Sequence, residues 1–127
     1  MTLVHLKKAL ESLKKGYKTQ PTELERDGII QRFEFALKIS WITAEKVLNE
    51  NGIITDSPKN IFRELSKLGW IENPEEWIEF VNARNKTSHE YNENLAQEVF
   101  LVIPQFIESA YKLLDVLENN FKYDHTL

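Results

Sequence analysis

The sequence predicts an all-α protein, a bundle of about five helices that also dimerises. Three observations carry this. No stretch sustains the period-two alternation of a half-buried strand, and apolar residues recur instead at three-and-four spacing. Four glycines and four prolines fall mostly between the periodic stretches, where helices start and stop. The two longest periodic stretches are apolar on more than one face, so each needs more than one neighbour, inside the bundle or from a second copy.

Leu3, Leu6, Leu10, Leu13 and Tyr17 form the stripe of a first helix behind a Thr2 cap, with Gly16 and Pro21 at its exit. The second helix is expected from about Glu23 to Asn51, on a stripe of Ile30, Phe33, Leu37, Trp41, Ala44 and Leu48. Ile29, Phe35, Ile39 and Ile42 widen that stripe, and Gly52 is placed to end the helix. Ser57-Pro58 then supplies an N-cap and a proline at the first helical position. Ile61, Phe62, Leu65 and Leu68 give this third helix its apolar side, and Gly69 closes it.

Asn73-Pro74-Glu75-Glu76 repeats the starting device, with Glu76 at the reciprocal position of a capping box. The fourth helix turns Trp77, Phe80 and Val81 inward, and its next turn brings Arg84. A fifth helix from roughly Glu93 to Phe121 carries Leu95, Val99, Val102, Phe106, Ala110, Leu113 and Leu117, with Phe100, Ile103, Ile107 and Leu114 beside them. Pro104 removes one backbone donor within it and is expected to bend it. The tail "KYDHTL" reads as a frayed end, and His125 is given no role.

At 127 residues the chain suits one domain spanning 1–127. With 42% hydrophobic and 28% charged residues and no bilayer-length apolar run, it is expected to be a cytoplasmic protein without a membrane partner. No cysteine is present, and the three histidines lack a metal-binding spacing, so no metal and no cofactor are expected. Chemistry must then come from His, Arg, Tyr, hydroxyls and carboxylates. A net charge of −4 argues against a broad basic surface gripping nucleic acid. Lys7, Lys8, Lys14, Lys15 and Lys18 concentrate near the start against Glu11 alone, and read as a solvated face.

Between the fourth and fifth helices lies "ARNKTSHEY", Ala83 to Tyr91, without an apolar residue inside it. Arg84 and His89 would stand about 140° apart and about 7.5 Å along the axis of an unbroken helix. The weak helix formers Asn85, Thr87 and Ser88 suggest instead that the helix ends near Lys86 to Ser88 and turns both side chains into one pocket. Histidine moves protons near neutrality, and arginine holds a phosphate through parallel hydrogen bonds. Together they are sufficient for cleaving RNA by attack of the ribose 2′-hydroxyl on its own phosphate. From chemistry alone, the segment reads as a solvated helix end with Arg84 paired to a carboxylate such as Glu90.

The motif Arg-x-x-x-x-His-x-Tyr, here Arg84, His89 and Tyr91, resembles the signature of the HEPN superfamily. Its HepT-like members, also described as nucleotidyltransferase substrate-binding proteins, are the most similar group. "RDGIIQRFEFALKISW" resembles their second helix, "SPKNIFRELSKLGWI" their third, and "ARNKTSHEYNENLAQEVF" their active-site segment.

The resemblance implies an up-and-down helical bundle, a homodimer, an RNA substrate and a cognate nucleotidyltransferase antitoxin, as in HepT-MntA toxin-antitoxin pairs. It makes Arg84 and His89 the catalytic residues of a metal-independent ribonuclease, and Tyr91 the acceptor of AMP that silences it. Asn85 matches a commonly polar position and is a candidate for orienting Arg84 or binding phosphate. Lys86 is a candidate for phosphate attraction that reads first as solvated, and Arg32 and Glu34, in the second-helix block, are candidates for reaching the pocket, with a rim salt bridge as the favoured role. The alternative the resemblance leaves open is a non-catalytic substrate-binding subunit of a two-component nucleotidyltransferase.

Overall fold

The structure, a computed structural model, describes residues 3–121. Thr2 and the tail containing His125 lie outside the described residues. Five helices follow one another: α1 (Leu3–Gly16), α2 (Glu23–Glu50), α3 (Pro58–Lys67), α4 (Pro74–His89) and α5 (Glu93–Asn120). Among the described residues there is no strand. This is the all-α bundle that the hydrophobic spacing predicts.

The starts of the helices follow from short polar side chains that satisfy exposed backbone N–H groups. At α2, Thr22 and Glu25 form a reciprocal capping box. Ser57 caps α3 by accepting from the Asn60 N–H at 3.2 Å, with Pro58 behind it. At α4 the expected capping box is absent: Asn73 accepts from the Glu75 N–H at 3.0 Å, and Glu76 instead accepts from the Ser109 hydroxyl on α5. An interhelical partner has drawn Glu76 away from its local one. Asn92 caps α5 through the Leu95 N–H. After α2 and α3 the chain turns on Gly52 and Gly69, whose φ values of 80° and 76° strongly favour glycine.

α2 packs against all four other helices, which accounts for its apolar residues on more than one side. α5 lies against α1, α2 and α4 and runs unbroken through the exposed Pro104. Leu6, Leu10 and Leu13 are buried between α1 and its neighbours, while Tyr17 stacks on Phe100 with centroids 5.5 Å apart.

An aromatic knot fixes α4. The Phe106 ring meets Phe33 at 5.0 Å, Phe80 at 5.5 Å and Trp77 at 5.8 Å, all edge to face. Trp77 also stacks on Phe62 at 4.7 Å, so the knot ties α2, α3, α4 and α5 together. Such pairs contribute about 0.5–1.5 kcal/mol each beyond the area they bury. The polar end of α4 is thereby held at a set rotation against α2 and α5.

Candidate functional site

The polar stretch does not break where its composition suggests. α4 continues through Lys86, Thr87 and Ser88 to His89, and Glu90 is its C-cap. The two hydroxyls find acceptors within the helix itself, so they are satisfied without a break in the chain. Thr87 Oγ1 donates to the Arg84 carbonyl at 2.7 Å, and Ser88 Oγ reaches the same oxygen at 3.5 Å. Arg84 and His89 therefore stand on one unbroken helix, and the single pocket expected to gather both within one chain is not formed.

Arg84 turns toward α2. Its guanidinium lies over the Trp41 ring, 5.6 Å from the centroid, and Nη1 donates to Asn85 Oδ1 at 3.4 Å. Among the described residues it makes no ion pair, so the expected pairing with Glu90 is not present. Its cation is half-buried on an aromatic face and free of a carboxylate.

His89 turns toward α5. It is exposed and borders an open groove of about 790 Å³ with Glu79, Asn82, Asn85, Lys86 and Glu98. Lys86 lies 3.9 Å from Glu98 across this groove, an exposed pair that contributes little to stability.

The two candidates from the second helix separate. Glu34 reaches α4 at the Thr87 hydroxyl, 2.8 Å away, where it shares the single hydroxyl hydrogen with the Arg84 carbonyl, so the rim contact is a hydrogen bond and not an ion pair. Arg32, two positions earlier, emerges on another side of α2 and crosses to α1, where Nη1 lies 3.4 Å from the Ser12 carbonyl. Gly16 makes room for it, because a Cβ there would lie 1.9 Å from Nη1. Arg32 thus belongs to the α1–α2 groove and does not join Arg84.

Tyr91 follows α4 and precedes the cap of α5. Its hydroxyl donates to Asp27 Oδ1 at 2.6 Å. Burial of the ring, reinforced by the Asp27 carboxylate, pushes the phenol up to about 12. Beside Asp27, Arg26 grips Glu93 through Nη1–Oε1 at 2.7 Å and Nη2–Oε2 at 3.0 Å. Those bonds hold Glu93 below the usual carboxylate range and raise the Arg26 guanidinium further.

Arg26, Asp27, Thr87 and Glu93 were not singled out as site residues in the sequence. Arg26 and Asp27 open the second-helix block as adjacent opposite charges, a signal without a visible partner. Their contacts are made across 64 and 67 residues of chain.

A bundle of five helices whose fourth ends on Arg84 and His89, with Tyr91 just beyond, defines the class of the protein. The chain belongs to the HepT-like group of the HEPN superfamily: the family model described as nucleotidyltransferase substrate binding protein like matches residues 1–119. It is 32% identical over 102 residues to a Haemophilus influenzae protein named "Probable ribonuclease HepT", covering 76% of this chain and 70% of that protein.

Two solved structures share the fold. One, from Thermus thermophilus, superposes with a TM-score of 0.83 at 32% identity, covering 88% of this chain and 98% of the other. The second, from Haemophilus influenzae, is described as the fold of a substrate binding domain of a nucleotidyltransferase. It matches with a TM-score of 0.78 at 28% identity, over 91% of this chain and 98% of that one.

Proposed function

We propose that the protein is a metal-independent ribonuclease toxin that acts as a homodimer in the cytoplasm, with a nucleotidyltransferase antitoxin that silences it by adenylylating Tyr91. The observation that carries this reading is Arg84: a half-buried guanidinium seated on Trp41, with no carboxylate partner among the described residues, is a cation available to a phosphate. The ribonuclease name of the Haemophilus influenzae relative supports the same chemistry.

In the proposed reaction the ribose 2′-hydroxyl attacks the neighbouring phosphorus and the 5′-oxygen leaves, generating a 2′,3′-cyclic phosphate. Arg84 holds the phosphoryl oxygens, where negative charge gathers, and Asn85 orients it. His89 passes a proton to or from the reacting oxygens. Because α4 sends Arg84 toward α2 and His89 toward α5, the complete site is assembled from two copies of the helix, which also supplies two histidines for two proton transfers. DNA, lacking the 2′-hydroxyl, is not cut. No helix among the described residues is long and apolar enough to cross a membrane.

The experiment is incubation of unmodified protein with mixed RNA in EDTA, beside His89→Ala. Fragments with cyclic phosphate ends that vanish in the variant support the reading. No cleavage by folded, dimeric, unmodified protein rejects it.

A second reading is favoured by the separation of Arg84 and His89 within one chain and by the substrate-binding description of the Haemophilus influenzae structure. Here the chain is a non-catalytic subunit of a nucleotidyltransferase, and Arg84 binds phosphate without chemistry. Growth arrest on expression of this chain alone, relieved by Arg84→Ala, decides for the toxin.

A further inference from the structure

The Tyr91 hydroxyl is already bonded to a group able to take its proton. The 2.6 Å contact aims its single hydrogen at Asp27 Oδ1, while the residue as a whole remains 47% exposed. Both ends of that contact are fixed. Arg26 lies 3.5 Å from the same Oδ1 and is forked onto Glu93. The start of α2, which carries the carboxylate, is thus tied to the first turn of α5, which only Asn92 separates from Tyr91.

Resting on the reading of Tyr91 as the AMP acceptor, we propose that Asp27 is the catalytic base of that acceptor site, so that this chain supplies the base and its partner enzyme supplies the nucleoside triphosphate. Tyr91 Oη attacks the α-phosphorus, forming the O–P bond. The bond from that phosphorus to the pyrophosphate oxygen breaks, and pyrophosphate leaves with the electron pair. The phenolic proton passes to the Asp27 carboxylate and then to water.

A neutral phenol is a poor nucleophile, and its surroundings here disfavour ionisation, so loss of the proton must accompany bond formation. Arg26, Glu34 and Glu93 are the other charged groups around this pair. Glu34 opposes ionisation of the phenol and Arg26 favours it; Arg26 is forked closely onto Glu93 and reaches Asp27 Oδ1 only at 3.5 Å, against 2.6 Å for the phenol.

Transfer also dissolves the contact that enabled it. The adenylylated oxygen carries no hydrogen to donate, and its new phosphodiester anion would face the Asp27 carboxylate. Tyr91 is therefore released from α2 once modified.

The test uses purified full-length chain, its partner nucleotidyltransferase and ATP labelled at the α-phosphate. Wild-type protein takes up label and Tyr91→Phe does not. Asp27→Asn, which keeps size and an accepting oxygen, should lower kcat for labelling by about a hundredfold with little change in KM for this chain. Its residual rate should climb with pH as hydroxide replaces the missing base, and Asp27→Glu should recover part of the loss. Labelling of folded Asp27→Asn at the wild-type rate overturns the proposal and leaves Tyr91 as acceptor. An unlabelled wild type, or label retained in Tyr91→Phe, overturns the acceptor reading and the proposal together. Rise in KM alone would make Asp27 a docking residue and likewise overturn it.

Discussion

The Arg84 guanidinium lies over the Trp41 ring at 5.6 Å, and this contact sets the direction of the cation at the end of α4. A cation on an aromatic face is held without being neutralised, whereas a carboxylate would compete with phosphate for the same donors. Trp41→Leu keeps an apolar side chain and removes the ring. It should cost about 0.5–2 kcal/mol for the lost cation–π contact, with more from lost area. RNA cleavage should fall further than stability, which thermal melts and fragment assays on the same preparation compare.

His89 is exposed and has no part in the buried core. His89→Ala should leave stability within about 0.5 kcal/mol, since surface substitutions outside caps and networks seldom do more. Cleavage of RNA should be abolished. Activity and melting temperature falling together would instead make His89 structural.

The aromatic knot predicts a contrasting loss. Phe106 is fully buried and meets three rings, so Phe106→Ala should cost about 3–5 kcal/mol. Denaturant titration measures this directly, and the position of α4 against α2 should loosen with it.

The pH dependence near Tyr91 has a definite sign. Its phenol is raised in the folded protein to about 12, above the unfolded value of 10.0, so its favourable contribution is present below pH 10 and is lost as pH rises through about 12. Glu93 has the opposite behaviour. Its pKa is lowered from 4.5, so its contribution is present above that value and is lost as pH falls below it. Ultraviolet titration should show Tyr91 and Tyr111 both ionising late, with Tyr91 alone moving toward 10 in Asp27→Asn. Two late tyrosines unchanged in that variant would show that burial alone raises Tyr91.

The Arg26–Glu93 fork joins the starts of α2 and α5. Arg26→Ala should leave Glu93 without its ion pair, bonded to Gln97 on its own helix, and Asp27 freer to move. Amide exchange should quicken over Tyr91 and the first turn of α5 while the buried middle of α5 stays protected. Equal quickening along the whole helix would refute this local role.

Much of the helical framework was legible because its signals are local. The spacing of Leu3, Leu6, Leu10 and Leu13, the Ser57-Pro58 start and the turns at Gly52 and Gly69 each act within a few residues. The predicted spans of α2 and α5 came within one residue of those observed. The end of α4 fell one residue past the expected Lys86 to Ser88, but the turn that would bring Arg84 and His89 together did not form, because Thr87 and Ser88 bond back to the Arg84 carbonyl inside the helix. Glu76 was misread for the related reason that a distant hydroxyl, that of Ser109, outcompeted a local N–H.

By itself, then, the sequence determined that this is a bundle of five helices with Arg84, His89 and Tyr91 gathered around one helix junction. Helix periodicity is written every three or four residues and needs no partner to be read. Only the tertiary structure decided which way each of those side chains turns: Arg84 onto Trp41, His89 into the α4–α5 groove, Tyr91 onto Asp27. Those directions depend on how each helix is rotated against its neighbours. That rotation is set by aromatic packing between residues far apart in the chain, which no local pattern records.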